Sequence, residues 1–184
     1  KRHELKLSLN IQGKKVFGHI GRFSNQKNHD FLIEIFDRIH LREANSVLVL
    51  VGTGSLESAI RQKVKEKGLD DAVLFLGIRD DIPKLLSMMD VFVFPSFYEG
   101  MPNTVIEAQA TGLRCVVSDT ITKQADITGL VTYMSLQDSA ASWAEQCIKA
   151  SDSARVDTHE LFMKNRYAID DVAKDFTSIL FGDC

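Results

Sequence analysis

Residues 95–107 hold the densest set of side chains that could do chemistry. Glu99 falls in a loop, Glu107 falls in the first turn of the next predicted helix, and Gly100 and Pro102 shape a tight backbone between them. Free backbone N–H groups near a helix N-terminus favour anions. Because carboxylates accept hydrogen bonds from paired hydroxyls, two of them beside such a backbone are typical of a site for a sugar phosphate.

Each of the two carboxylates also has a simpler explanation. Thr104 and Glu107 have the spacing of a capping box, in which Glu107 would accept a hydrogen bond from the N–H of Thr104 rather than from a ligand. Glu99 has no such local role, and its alternative is a solvated loop carboxylate. The sequence leaves both alternatives open.

A second candidate group follows the first predicted strand. Gly21 permits close backbone approach, Arg22 and Lys27 supply a guanidinium fork and a mobile ammonium, and Asn28 stands at the N-cap of the next helix. Two cations and a positive helix end suit a diphosphate. The alternative is a pair of solvated surface cations at a loop–helix junction.

Other kinds of site find no support in the sequence. Neither residues 18–24 nor residues 52–57 complete the Gly-x-Gly-x-x-Gly pattern, and no acidic residue ends the second strand, so a redox dinucleotide site is not expected. Gly52 and Gly54 then bring a loop close to a ligand or merely turn the chain. No Asp-x-Asp, His-x3-His, Cys-x2-Cys or Gly-x-Ser-x-Gly motif occurs, so we expect neither a bound metal nor a serine hydrolase.

Composition excludes several classes of protein. The chain has 184 residues, of which 45% are hydrophobic and 26% charged, so it can bury a core. Its net charge of −3 argues against binding along nucleic acid, and no apolar run is long enough to span a membrane. The three cysteines lack metal spacing and are expected to be reduced thiols of a cytoplasmic protein. The scattered histidines, His19, His29 and His40, are expected to be solvated or satisfied in the core.

Short apolar runs alternate with segments of helical period. Strands are predicted at 15–20, 47–51, 73–76, 91–94, 115–118 and 132–135, and helices at about 29–43, 56–64, 82–89, 104–111, 138–150 and 158–181. Strands this apolar are covered on both faces, as in parallel sheets. We therefore expect an α/β fold, a doubly wound, Rossmann-like parallel sheet of about six strands with helices on both faces. Ligands of such sheets lie at the carboxyl ends of the strands, where both candidate groups fall.

Four motifs together resemble a known family. They are Gly21-Arg22 with Lys27, Gly52-x-Gly54, the run Leu76-Gly77-Ile78-Arg79-Asp80-Asp81-Ile82, and Glu99-x7-Glu107. In this order and on these strand ends, they resemble the family 4 retaining glycosyltransferases. The likeness runs from about residue 13 to residue 150 and is to the C-terminal, donor-binding half of the two-domain GT-B fold. The bacterial exopolysaccharide and capsule branch is the most similar.

The resemblance implies roles for the matching residues. As catalytic candidates, Arg22 and Lys27 would hold the donor's diphosphate and neutralise the charge of the leaving nucleotide, and Glu99 would accept hydrogen bonds from the transferred sugar. Glu107 would bind the ribose, and Ile78, Arg79 and Asp81 would frame the base. The full set of donor-binding candidates is Gly21, Gly52, Gly54, Ile78, Arg79, Asp81, Gly100, Met101, Pro102, Asn103, Thr104 and Glu107.

The family also implies a substrate and a mechanism. The donor would be a nucleotide-diphosphate sugar of the UDP or GDP type, the hexosyl unit would be transferred with retention, and neither a metal nor a cofactor would be needed. One departure concerns the loop after the fifth strand, where many relatives carry a glutamate and this chain has Thr122-Lys123-Gln124-Ala125-Asp126.

The implied layout has three parts. Residues 1–14 would be a linker or the end of a preceding domain, residues 15–155 the nucleotide-sugar-binding domain, and residues 156–184 a C-terminal helical segment that packs toward the preceding domain. That N-terminal domain, absent from this chain, would bind a saccharide or lipid-linked saccharide acceptor, so the chain alone is expected to bind donor without transferring sugar. The whole enzyme is expected in the cytoplasm, with peripheral attachment to the inner face of the membrane as an open alternative.

Two other functions fit the same fold. A non-catalytic nucleotide-binding or interaction module would tolerate loss of Glu99. A relative of the nucleotide-sugar 2-epimerases would use a different set of acid and base residues.

Overall fold

Six parallel strands form the centre of the computed structural model, which describes residues 2–164. They are β1 (Lys15–Ile20), β2 (Ser46–Val51), β3 (Val73–Phe75), β4 (Val91–Phe94), β5 (Arg114–Ser118) and β6 (Val131–Met134). Their spatial order is β3-β2-β1-β4-β5-β6, and every neighbouring pair is parallel. The predicted strands are confirmed to within a residue or so at each end.

Seven α-helices flank the sheet within the described residues. They are α1 (Arg2–Ser8), α2 (His29–Arg42), α3 (Glu57–Glu66), α4 (Ile82–Met88), α5 (Asn103–Ala110), α6 (Ala140–Ser151) and α7 (His159–Lys164). Helices α2, α3 and α6 bury their apolar residues on one face of the sheet, and α4 and α5 do so on the other. The doubly wound α/β fold is therefore confirmed.

Alternate strand residues supply the two halves of the core. On β2, Leu48 and Leu50 point to the α2 side, whereas Val47, Val49 and Val51 point to the α4 side. All five are almost completely buried. A strand buried on both faces needs a continuous apolar sequence, which explains why these runs show no alternation with polar residues.

The two ends of the chain also contact this domain. Helix α1 packs against α4, and Leu5, Leu9 and Ile11 lie against the α4 side of the core. After α6, the Arg155 guanidinium donates to the backbone oxygens of Leu86, Met89 and Thr111, near the ends of α4 and α5. The helix predicted at about 158–181 is described as far as Lys164, and the rest of that prediction lies outside the described residues. Among residues 2–164, no helix is long and apolar enough to cross a membrane.

Candidate functional site

Two loops meet at the carboxyl edge of the sheet where the strand order reverses. The loop after β1 and the loop after β4 lie side by side because β1 and β4 are neighbouring parallel strands. The N–H of Phe97 donates to the oxygen of Gln26 at 2.9 Å, and the Gln26 side-chain amide donates to the oxygen of Tyr98 at 2.9 Å. The Asn28 amide donates to the oxygen of Pro95 at 3.1 Å. Open parallel sheets bind ligands at such a reversal point.

Sequence reasoning assigned no role to Gln26 and placed Asn28 only as a helix cap. Asn28 does occupy the N-cap position of α2, with a left-handed φ of 53°, but its side chain makes no capping hydrogen bond. It reaches Pro95 instead. The sequence shows a polar residue on each side of Lys27. The hydrogen-bond partners of these two residues lie about 70 residues further along the chain, so no local pattern reveals them.

Lys27 and Glu99 form an ion pair at this junction. The Lys27 Nζ and Glu99 Oε1 atoms are 2.7 Å apart, and the side chains are only 17% and 9% exposed. The same ammonium lies 4.6 Å from the centroid of the Phe94 ring. The structure thus brings together two of the three predicted catalytic residues, and both are largely withdrawn from water.

The third predicted catalytic residue, Arg22, is not hydrogen-bonded to this pair. It is exposed, and its side chain makes no hydrogen bond or ion pair with residues 2–164. Its guanidinium is therefore available to a ligand at the mouth of the site. A guanidinium that has no protein partner gives up no existing bond when it binds an anion.

The three predicted glycines hold the first loop against the second strand. A Cβ at Gly21 would lie 2.9 Å from His19 Nε2, and the Lys27 side chain passes 3.2 Å away. A Cβ at Gly52, where φ is +130°, would overlap the oxygen of Gly21, and a Cβ at Gly54 would overlap the backbone of Phe23. Gly52 and Gly54 thus lie against the loop that carries Arg22.

The amino end of α5 forms another side of the site. The helix begins at Asn103, one residue before the predicted start, with the buried Pro102 as its N-cap. The capping box expected as an alternative role for Glu107 does not form: Glu107 is exposed and makes no side-chain hydrogen bond within residues 2–164. Its carboxylate is therefore open to solvent and to a ligand.

Free backbone donors lie just before this helix and in its first turn. Within the described part of the chain, the N–H groups of Gly100, Met101 and Thr104 find no acceptor, whereas that of Asn103 donates to the oxygen of Met101 at 3.0 Å. Gly100 and Met101 are exposed, and Thr104 is half-buried. The N–H groups of Gly100 and Met101, which follow Glu99, are thus free to donate to a ligand, whereas that of the predicted donor-binding residue Asn103 is already bonded.

The predicted base-binding residues follow β3. Arg79 makes a two-bond contact with Asp81, with both nitrogen–oxygen distances 2.8 Å. This hydrogen bond and the charge of Arg79 lower the pKa of Asp81 below its ordinary value. Ile78 is 82% exposed beside them. The pair fixes the shape of an open hollow lined by residues 78–81 and Lys84.

Two buried histidines lie behind the site. His19 Nδ1 contacts the oxygen of Val93 at 2.9 Å, while its Nε2 and both ring nitrogens of His29 have no partner within residues 2–164. The rings lie edge to face, with centroids 4.6 Å apart, and His29 stacks on Phe23 at 4.2 Å. Burial, with a smaller contribution from the charge of Lys27, lowers the pKa of His29 to about 4. The expectation that isolated histidines are solvated or satisfied is wrong for His29.

The buried side chain of Gln109 holds the loop after β5. Its amide nitrogen donates to the oxygen of Ala125 at 2.6 Å, and its oxygen accepts from the N–H of Ile127 at 3.0 Å. This residue was not singled out from the sequence, where it reads as one more polar position of a helix.

The charges at this edge suit a ligand with both phosphate and hydroxyl groups. Arg22, Lys27 and free N–H groups can bind a diphosphate, while Glu99 and Glu107 can accept hydrogen bonds from hydroxyls. Within residues 2–164, no three His, Cys, Asp or Glu side chains are grouped closely enough to hold a metal ion.

Residues 14–153 match the family described as Glycosyl transferases group 1. The putative glycosyltransferase EpsF of Bacillus subtilis (strain 168) is 41% identical over 141 residues, which cover 76% of this chain and 37% of EpsF. An Escherichia coli UDP-Gal:alpha-D-GlcNAc-diphosphoundecaprenol alpha-1,3-galactosyltransferase is 41% identical over 107 residues, which cover 56% of this chain and 28% of that enzyme. The chain thus spans well under half the length of these relatives.

Solved structures show the same fold. A mutant of S. aureus TarM, in complex with Fondaparinux, alpha-GlcNAc-glycerol and UDP, gives a TM-score of 0.80 at 20% identity over 91% of this chain and 36% of TarM. Anabaena HepE in complex with UDP and glucose gives 0.71 at 21% identity over 96% of this chain and 52% of HepE. This likeness concerns the fold, whereas the sequence match covers most of the domain and its motifs. The chain belongs to the Glycosyl transferases group 1 family.

Proposed function

We propose that this chain is the donor-binding half of a glycosyltransferase that takes a hexosyl unit from a nucleotide-diphosphate sugar. The observation that carries the proposal is the junction of the two loops. There a cation and a carboxylate, Lys27 and Glu99, lie 2.7 Å apart beside free backbone N–H groups and the exposed Arg22. A diphosphate binds to cations, and the hydroxyls of a sugar donate to a carboxylate. One ligand that contains both a diphosphate and a sugar therefore fits best.

Each part of the donor has a place in this proposal. The diphosphate contacts Arg22, Lys27 and the N–H groups before α5, and the transferred sugar lies on Glu99. The ribose contacts the exposed carboxylate of Glu107, and the base lies in the hollow after β3. These positions follow β1, β3 and β4, whose carboxyl ends lie at the same edge of the sheet.

The reaction requires the bond between the sugar and the diphosphate to break. Negative charge then builds on the leaving phosphate, and the guanidinium of Arg22 and the ammonium of Lys27 stabilise it. This cationic pair can replace the divalent ion that other transferases use, so a metal-independent reaction is part of the proposal. Retention follows if the acceptor enters from the face that the nucleotide leaves, with the leaving phosphate as the base.

The relatives support a role in making polysaccharides. One is named a diphosphoundecaprenol galactosyltransferase, and another is the Vi polysaccharide biosynthesis protein VipC/TviE of Salmonella typhi, 34% identical over 53% of this chain. We propose a saccharide or lipid-linked saccharide acceptor, bound by a second domain. Because that domain is needed to bring the acceptor to the donor, this chain alone should bind donor without transferring its sugar.

The direct test is to titrate this chain by calorimetry with UDP-glucose, UDP-galactose, GDP-mannose and NAD. Saturable binding of one nucleotide sugar, with none of NAD, supports the proposal. Binding of NAD alone, or of none of the four, contradicts it.

A further inference from the structure

In the free chain, Lys27 and Glu99 bind each other. Neither side chain has another hydrogen-bond or ion-pair partner within residues 2–164. The groups behind the ammonium are rings: Phe94 lies 4.6 Å from it, and His19 stacks on Phe94 at 5.3 Å. Burial lowers the pKa values of His19 and His29, so neither ring carries a charge near neutral pH. Glu99 is therefore the counter-ion on which the buried Lys27 depends.

A ligand must compete with this pair. The proposed function assigns Lys27 to the diphosphate and Glu99 to the sugar, so the phosphate can take the ammonium only by drawing it from Glu99. That exchange leaves a carboxylate that is 9% exposed without its cation. A buried charge that loses its only partner is strongly unfavourable, unless new hydrogen bonds replace the partner.

Sugar hydroxyls can supply those hydrogen bonds. A complete nucleotide sugar offers phosphate oxygens to Lys27 and hydroxyl donors to Glu99 at the same time. A bare nucleoside diphosphate offers only the first, and its own negative charge is repelled by the unpaired carboxylate of Glu99. Separating the pair thus lowers the affinity for the bare nucleoside diphosphate more than the affinity for the nucleotide sugar.

The backbone around the pair is held in place, so the exchange belongs to the side chains. Hydrogen bonds from Phe97 to Gln26 and from Gln26 to Tyr98 join the two loops just before Lys27 and Glu99. The Asn28 amide adds a third bond, to Pro95. Rotation of the Lys27 side chain toward the exposed mouth of the site does not require these bonds to break.

We propose that the Lys27–Glu99 ion pair acts as a latch that makes the site discriminate a nucleotide sugar from the bare nucleoside diphosphate. The inference rests on the proposed function. It assigns Glu99 a second role besides contact with the sugar, which is to weaken the binding of the diphosphate product. Once the sugar has left, Glu99 recovers Lys27 and the nucleotide is released.

The test compares Glu99→Gln with the unchanged chain by calorimetric titration with UDP, UDP-glucose, GDP and GDP-mannose. Glutamine cannot hold Lys27 by charge, so the variant should bind the bare diphosphate about tenfold more tightly. The preference for the nucleotide sugar over the diphosphate should fall by at least the same factor. Glu43→Gln is the matched control, because Glu43 pairs with Lys15 at the opposite edge of the sheet, at 3.2 Å.

Two further variants check that any gain in affinity comes from the loss of the ion pair. In the background of Lys27→Gln, the change Glu99→Gln should give no gain in diphosphate affinity, because there is no cation left to release. Glu99→Asp keeps the charge but withdraws it by one methylene group, so diphosphate affinity should rise by less than with glutamine. Thermal unfolding checks that each variant is folded.

The outcomes separate the two proposals. If the unchanged chain binds a nucleotide sugar but neither Glu99→Gln nor Glu99→Asp binds the diphosphate more tightly, the latch is wrong and the proposed function stands. An equal gain in diphosphate affinity in Glu43→Gln would also overturn the latch, since the gain would then come from the change in net charge. If the unchanged chain binds none of the four ligands, the proposed function fails and the latch with it.

Discussion

The two cations of the β1–α2 loop differ in what surrounds them. Lys27 is largely buried and paired with Glu99, whereas Arg22 is exposed and its side chain makes no hydrogen bond or ion pair with the described residues. We expect Arg22→Ala to leave stability unchanged but to weaken nucleotide-sugar binding by about 1.5–3 kcal/mol, the range for hydrogen bonds to charged groups. Calorimetric titration measures this, and Arg38→Ala, an exposed change on α2, is the control. Equal nucleotide-sugar affinities in both variants would show that Arg22 does not contact the ligand.

Residue types and positions at the site could be predicted from the sequence, but their contacts could not. Arg22, Lys27, Glu99 and Glu107 were identified because charged groups follow strand ends, and the structure places all four at one edge of the sheet. The pairing of Lys27 with Glu99 joins residues 72 positions apart, and no local pattern records it. The capping box failed because α5 begins at Asn103, one residue earlier than expected, with the buried Pro102 rather than Thr104 as its N-cap.

At the scale of elements, the loop after β2 supports the loop after β1. The N–H of Phe23 donates to Thr53 at 3.1 Å, and a Cβ at Gly54 would overlap the Phe23 backbone. Backbone cannot move aside as a flexible side chain can, so Gly54→Ala should destabilise the chain by about 1–3 kcal/mol, as overpacking does. Urea unfolding tests this.

The matched control for this change is Gly100→Ala. A Cβ at Gly100 meets nothing within 4 Å, and its φ is not in the left-handed region. Unfolding free energies that fall equally in both variants would contradict a packing role for Gly54. The sequence suggested either ligand approach or a turn for this glycine, and only the coordinates show which backbone it faces.

The strands were easier to predict than the helix ends. Apolar runs buried on both faces leave a continuous signal, so β1 and β4 have the predicted bounds. Helix starts depend on a few residues whose alternatives differ by about 1 kcal/mol, and tertiary contacts decide between them. Helix α5 shows this, because it begins at Asn103 rather than at the predicted Thr104, with the buried Pro102 as its N-cap.

For the whole molecule, the buried histidines predict how stability depends on pH. His29 has a pKa of about 4 in the folded chain, below the ordinary histidine value of 6.5. Between these values the unfolded chain binds a proton that the folded chain does not, so the free energy of unfolding falls as pH falls from 6.5 toward 4. The loss due to His29 approaches about 3 kcal/mol, and His19 acts in the same direction.

This dependence can be measured by urea unfolding at pH 7 and pH 5. His29→Phe keeps a ring on Phe23 and removes the titrating group, so its stability should change less between the two pH values than that of the unchanged chain. His3→Phe, an exposed change on α1, should keep the full dependence. A slope that is the same in all three would show that His29 does not titrate in this way.

The central claim is that one ligand, a nucleotide-diphosphate sugar, occupies the carboxyl edge of this sheet. The measurement that tests it most directly is an amide NMR titration of the chain with UDP-glucose and GDP-mannose. We expect saturable shifts at residues 21–28, 78–82 and 99–107 with one of the two, and none at the opposite edge around Asn45 and Arg114. Shifts spread over the surface, or centred on that opposite edge, would contradict the claim.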